Sequence, residues 1–306
     1  MKTRIQQQDS QSRNFEATHG EKIGFAVFYL LAFLVLLLAS FYDRSVSQGV
    51  MDRSSAVGQF FQEYGIRGPN IILFSSFQLI AWATFFSNGS RVQRLLITAV
   101  FLILSMNQIL FSLKGYFAYT LAQLINGDII GVEDPKLIQW CSAFVMTVLL
   151  SFLFFFYLKK RSEEERRYLL KAAVFGIVLV FLVSLTIGDL KLHWGRYRPF
   201  QMDQQMSQFT PWWQPNGSNG HFSFPSGHTT SGWLLVYLIF FLPRSWRKAQ
   251  SLLLIVTVTL AITIALSRVR YGAHWLSDVT AASLIVFSYV MLISRLLRAH
   301  FVESET

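Results

Sequence analysis

Cysteine is almost missing from this chain of 306 residues. The single Cys141, at the start of an apolar run, excludes an intrachain disulfide, and no Cys/His spacing of the zinc type occurs. Charge is scarce too, at 14% of residues. No basic run with interleaved aromatics forms a nucleic-acid surface, so the excess of 27 Lys and Arg over 17 Asp and Glu does not imply that partner. No internal repeat is visible, and the one low-complexity hint, residues 159–167, reads as a charged and solvated turn. No A-x-A cleavage site follows the first apolar run, which is longer than the 7–15 residues of a signal-peptide core and reads as an uncleaved anchor.

Apolar residues are what the chain has in excess. They make up 53%, with 16% aromatic, against roughly 45–50% in soluble domains by a count that includes Gly. The chain therefore reads as one integral membrane domain. Apolar runs occupy residues 23–42, 71–86, 92–113, 137–158, 169–188, 229–242, 251–266 and 275–297. The first supplies about 20 nearly uncharged residues, enough for a hydrocarbon core of roughly 30 Å. The sixth and seventh are short. Between the first two runs, residues 43–70 are mixed, with Phe60, Phe61 and Tyr64 forming an amphipathic patch suited to the interface.

Loop charge orients the chain. Basic clusters occupy alternate connections: Lys2, Arg4, Arg13 and Lys22; Arg91 and Arg94; Lys159 to Arg161 with Arg166 and Arg167; Arg244, Arg247 and Lys248; Arg295 and Arg298. By the positive-inside rule both termini are cytoplasmic. The expected fold is an all-α polytopic helical bundle of about eight transmembrane helices. Residues 1–21 form a mobile tail, 22–136 the N-terminal helices and outer loops, 137–298 the catalytic core and 299–306 a second tail.

Three polar strings break the pattern at the outward ends of hydrophobic segments. They are Lys191 to Pro199, Pro225 to His228, and Ser267-Arg268 with His274 and Asp278. Cations in outward segments run against the topological bias, and an extracytoplasmic anion explains them most simply. His274 and Asp278 share a helix face, so the carboxylate can fix the imidazole tautomer and leave the other nitrogen as a nucleophile; mutual satisfaction of two polar groups is the plainer alternative. Arg268 offers a forked donor to phosphate oxygens. Ser226 is either a phosphate ligand or simply an N-cap, at a helix start whose free N–H groups favour anions. Gly227 permits close backbone approach, and His228 is placed to protonate a leaving alkoxide. Lys191 and Arg198 are seven apart and can face one site, although lysines at membrane ends often just snorkel to headgroups.

Together, Lys191-x6-Arg198-Pro199, Pro225-Ser226-Gly227-His228 and Ser267-Arg268-x5-His274-x3-Asp278 resemble the full signature of the type-2 phosphatidic-acid phosphatase superfamily. The resemblance covers roughly residues 137–297. It implies a helical bundle housing the site and a metal-independent, cofactor-free reaction through a phosphohistidine. His274 would be the nucleophile, Asp278 its orienting partner, and His228 the general acid and then the base toward water. Lys191, Arg198 and Arg268 would clamp the phosphoryl oxygens, helped by Ser226 and Gly227. The family's usual core has six spans, two fewer than counted here.

The outward loop 200–224 carries Trp212 and Trp213, either a rim for a lipid headgroup or interfacial anchors, and Arg196 and Arg270 are further possible headgroup contacts. The Trp194-Gly195-Arg196-x-Arg198-Pro199 form is similar to bacterial envelope members acting on lipid A or polyprenyl diphosphate. The expected protein is thus an inner-membrane lipid phosphatase with its site facing the periplasm. Its substrate would be lipid A, undecaprenyl diphosphate, or a phospholipid such as phosphatidylglycerophosphate or phosphatidic acid. A lipid phosphotransferase with the same site, a vanadate-dependent haloperoxidase, and a non-enzymatic transporter or scaffold are the alternatives; the last would place its charges near mid-span rather than at span ends.

Overall fold

The computed structural model describes residues 16–114 and 137–302. Residues 1–15 of the expected N-terminal tail, residues 115–136, and residues 303–306 of the expected C-terminal tail lie outside the described residues.

Nine α-helices follow one another among the described residues. They are α1 (His19–Val50), α2 (Ala56–Tyr64), α3 (Gly68–Phe85), α4 (Arg91–Lys114), α5 (Leu137–Lys159), α6 (Glu163–Trp194), α7 (Gly227–Leu234), α8 (Arg247–Arg270) and α9 (Leu276–Leu297). A 3-10 turn, Pro199–Gln201, follows α6, and a second 3-10 segment, Leu235–Phe241, extends α7. The described residues contain no strand, and the chain is an all-α polytopic membrane protein.

Every apolar run of the sequence falls on a helical element, but only α1, α4, α5, α6, α8 and α9 are long and apolar enough to cross a membrane. The other two runs became α3 and the α7 segment. Both are interior elements: 14 of the 18 residues of α3 are buried, as is all of α7 beyond Gly227. A helix wrapped by protein has no need of a uniformly apolar surface, so α3 can carry Asn70, Ser75, Ser76 and Gln78 on buried positions. Gln78 donates to Ser105 Oγ of α4 at 2.9 Å and accepts from Ser151 Oγ of α5 at the same distance, which pins these three helices together.

Helix starts follow capping chemistry. Thr18 and Glu21 form a reciprocal capping box at α1, Ser162 and Glu165 another at α6, and Ser226 caps α7. The sequence reading ended the first span at Tyr42. The helix instead continues to Val50, because Asp43 and Ser47 prolong the inward stripe of Ala32, Leu36 and Ala39.

The core centres on Trp233, Tyr237, Phe240 and Phe241, packed against Ile72 and Leu79 of α3, Leu179 and Val183 of α6, and Val286 and Val290 of α9. At one end of the bundle Glu21 accepts from Arg295 at 3.0 Å and from the Phe301 N–H at 2.7 Å, holding the start of α1 against the end of α9. Residues 299–302, assigned to a tail from the sequence, fold back here, with Ala299 and Phe301 buried. The polar strings lie at the opposite end.

Candidate active site

The C-terminal ends of α1, α6 and α8 meet the N-terminal starts of α7 and α9 at this end of the bundle. Helix α6 delivers Lys191 and then stops at Gly195, whose φ of +52° suits glycine and whose Cβ, if present, would lie 2.0 Å from the Gly217 carbonyl. The loop returns onto that stop: the Asn216 N–H donates to the Trp194 carbonyl at 2.9 Å, and Asn219 Nδ2 to the Gly195 carbonyl at 2.7 Å. This tie-back brings Phe222 and Ser223 to the site, where Lys191 Nζ donates to the Phe222 carbonyl at 2.8 Å. A Cβ on Gly227 would lie 3.7 Å from Lys191 Cε, so the first and second strings touch.

His274 is 2% exposed, and its Nδ1–H donates to the Ser223 carbonyl at 2.7 Å. That bond leaves Nε2 with its lone pair. Burial holds the imidazole down at about 3, assisted by the Arg198 and Lys191 charges and opposed by Asp278. His274 is therefore neutral at physiological pH. Asp278 approaches Nδ1 only to 3.6 Å. The imidazole N–H therefore faces two acceptors, with the shorter bond to the backbone carbonyl and the longer approach to the carboxylate, which has further partners of its own. Asp278 Oδ2 accepts from Ser223 Oγ at 2.5 Å and from the Trp275 N–H at 3.0 Å, and Oδ1 from Arg196 at 2.6 Å.

Arg196 departs furthest from expectation. Rather than reaching a headgroup at the rim, it is completely buried, and donates to Asp43 at 3.0 Å, to Ser277 Oγ at 2.7 Å and to the Thr210 carbonyl at 2.9 Å in addition to Asp278. A guanidinium with all three nitrogens engaged by two carboxylates, a hydroxyl and a carbonyl, and with no exposed surface, is a structural tie rather than a headgroup contact. The other expected headgroup contacts are dispersed. Arg270 is exposed and paired with Asp52 at 2.9 Å. Trp212 donates from Nε1 to Ser40 Oγ of α1 at 3.0 Å, while Trp213 is exposed at the surface.

His228 and Arg268 share a partner from outside all three strings. His228 Nε2–H donates to the Gln62 carbonyl at 3.1 Å, and Arg268 donates to Gln62 Oε1 at 2.8 Å and to the Gly58 carbonyl. Both acceptors belong to α2, read from the sequence as an interfacial patch. Burial pushes His228 well below its usual value, followed by the charges of Arg268, His274 and Arg198. Those same influences show that the two histidines and the cations lie within electrostatic reach of one another. Ser226 Oγ accepts from the Thr229 N–H at 3.3 Å and from Thr229 Oγ1 at 3.0 Å, so its hydroxyl serves as a cap here.

Sequence reasoning missed Asp43, Gln62, Ser223 and Ser277. Only Asp43 left a signal, since its spacing from Ala32, Leu36 and Ala39 already put it on the inward face of α1. Among the described residues, no three His, Cys, Asp or Glu side chains gather as a metal site would require.

Fold and site together define a polytopic helical membrane protein with a buried, cation-rich histidine pair at one end of its bundle. Residues 172–301, less than half of the chain, match the family model described as PAP2 superfamily. Two curated relatives are each named lipid A 4'-phosphatase. The one from Rhizobium etli is 35% identical over 125 residues, covering 39% of this chain and 48% of that protein. The one from Rhizobium leguminosarum is 35% identical over 131 residues, covering 41% of this chain and 54% of that protein. The chain thus spans about half the length of the curated relatives it matches. No solved structure matches the chain significantly.

Proposed function

We propose that the protein is a lipid phosphatase of the bacterial inner membrane, hydrolysing a phosphomonoester or diphosphate of an envelope lipid on the periplasmic side through a phosphohistidine at His274. The observation that carries this reading is a neutral imidazole whose Nδ1–H is held by a carbonyl at 2.7 Å, with the charges of Lys191 and Arg198 acting on it and that of Arg268 acting on its neighbour His228. His274 Nε2 attacks phosphorus while the three cations spread the charge of the equatorial oxygens, the principal demand of phosphoryl transfer. His228 supplies the proton to the leaving oxygen, then takes one from the water that cleaves the phosphohistidine. In the free protein His228 is held neutral; a bound phosphate dianion opposes that by favouring the imidazolium.

Three things support the sidedness: the basic loops alternate, the start of α1 and the end of α9 share one end of the bundle, and the histidines occupy the other. Lipid A is the leading substrate by virtue of the two relatives; undecaprenyl diphosphate, phosphatidylglycerophosphate and phosphatidic acid are the competitors. The purified protein is expected to release inorganic phosphate from one of these four lipids in the presence of EDTA, and His274→Ala to abolish release. Undiminished turnover by the alanine variant rules out the nucleophile assignment, and label recovered in a second lipid instead of in solution identifies a phosphotransferase.

A further inference from the structure

The Asp43 side chain lies on the first helix, outside the stretch that matches the family, yet it is fully enclosed beside the reacting histidine's support. Its Oδ1 accepts the Ser277 N–H at 3.0 Å, and its Oδ2 accepts from Ser277 Oγ and from Arg196 at 3.0 Å. Arg196 passes to Asp278, and Asp278 Oδ2 to Ser223 Oγ at 2.5 Å. Ser223 is then secured twice, because its N–H also donates to the Arg196 carbonyl at 3.0 Å, and its own carbonyl is the one that holds His274. Every polar atom in this path from Asp43 to the imidazole has a partner.

Such an arrangement is an expensive way to join two helices. Two buried carboxylates and a buried guanidinium pay a desolvation penalty that well-packed apolar side chains avoid. What the ions provide instead is orientation: Asp43 and Asp278 hold different terminal nitrogens of Arg196, and Asp278 reaches Arg196 and Ser223 through separate oxygens.

We propose that Asp43 is a positioning residue for the reaction at His274, acting through Arg196 and Asp278 on the Ser223 carbonyl that sets the imidazole tautomer. The first helix is then part of the catalytic unit and not an accessory span. The role rests on the phosphatase reading for its consequence in turnover, but its structural effect on His274 can be read without turnover.

The test uses the full-length protein in mixed micelles with lipid A and with dioctanoyl phosphatidic acid. Asp43→Asn keeps the shape and removes the charge; Ser277→Ala is the milder variant, leaving all three ions in place should the first fold poorly. For Asp43→Asn, kcat is expected to fall roughly tenfold to a hundredfold, the range of a catalytic group displaced by about 1 Å. KM and the inhibition constant for inorganic vanadate stay within about threefold, since Lys191, Arg198 and Arg268 are untouched. In an Asp278→Asn background the same change adds less than about threefold, because both act along one path. Ring-nitrogen NMR of 15N-labelled histidine, with His274 assigned by its loss in His274→Gln, is expected to show one Nδ1–H tautomer in the native protein and a mixture in Asp43→Asn. Unchanged kcat, multiplicative losses in the double variant, or equal losses of kcat and vanadate affinity overturn the proposal. If the native protein releases no phosphate from either lipid, the phosphatase reading fails, and the tautomer spectrum alone decides on Asp43: a single Nδ1–H form retained in Asp43→Asn overturns it.

Discussion

His274 shows how burial and hydrogen bonding set a residue's chemistry before any substrate arrives. Its imidazole, near pKa about 3 in the fold, stays neutral where an unfolded chain would take up a proton from about 6.5 downward. The unfolded state therefore binds more protons between those values, and stability contributed by neutral His274 is present above about pH 6.5 and lost as the pH falls toward 3. His274→Gln, which cannot protonate, is expected to lose less melting temperature than the native protein when detergent-solubilised samples are taken from pH 7 to pH 5. Equal losses in both proteins contradict this assignment. The grouping of His274, Asp278, Lys191, Arg198 and Arg268 at one end of the bundle was legible in the three strings. The Ser223 carbonyl was not, because a backbone acceptor carries no residue-type signature and Ser223 reaches the site only through the Asn216 and Asn219 tie-back.

Among the elements, α2 changes the meaning of the site most. Its nine residues present Gln62 and Gly58 oxygens to Arg268 and His228, two groups assigned to phosphate and proton transfer. Gln62 Oε1 sits on Arg268 as a phosphoryl oxygen would, so substrate and Gln62 compete for one donor. Gln62→Ala is expected to lower the vanadate inhibition constant several-fold while destabilising the protein by about 1–3 kcal/mol, the penalty of leaving a buried donor without its acceptor. Inhibition measurements and thermal unfolding on the same preparation check both; weaker vanadate binding shows that Gln62 organises Arg268 and does not compete with ligand. The amphipathic patch of Phe60, Phe61 and Tyr64 falls on this short helix, with Phe60 and Tyr64 exposed. It said nothing of the opposite face, where Gly58 packs so closely that a Cβ there would lie 2.9 Å from the Tyr271 ring.

For the molecule as a whole, the family-matching stretch from 172 to 301 holds all three polar strings but not all of their supports. Asp43, Gly58 and Gln62 come from α1 and α2, and α3 fills the space beside α7, where Gly68 lies so close that a Cβ would fall 2.0 Å from the Ser231 carbonyl. A chain beginning at Leu137 is thus expected to keep every string residue, yet to show no phosphate release and poor recovery as a folded species by size exclusion. Activity in that truncation places the supports of the site wholly within the C-terminal helices. The sequence by itself determined the all-α membrane class, the helical segments and the residues of the three strings, because hydrophobic runs and fixed spacings act locally along the chain. Only the tertiary structure decided that Arg196 is a buried tie rather than a headgroup contact, that the Ser223 carbonyl lies nearer the His274 Nδ1 than Asp278 does, and that α1 and α2 contribute to the site. Those outcomes depend on which groups desolvation forces to pair across helices far apart in sequence, and no spacing along one helix encodes that.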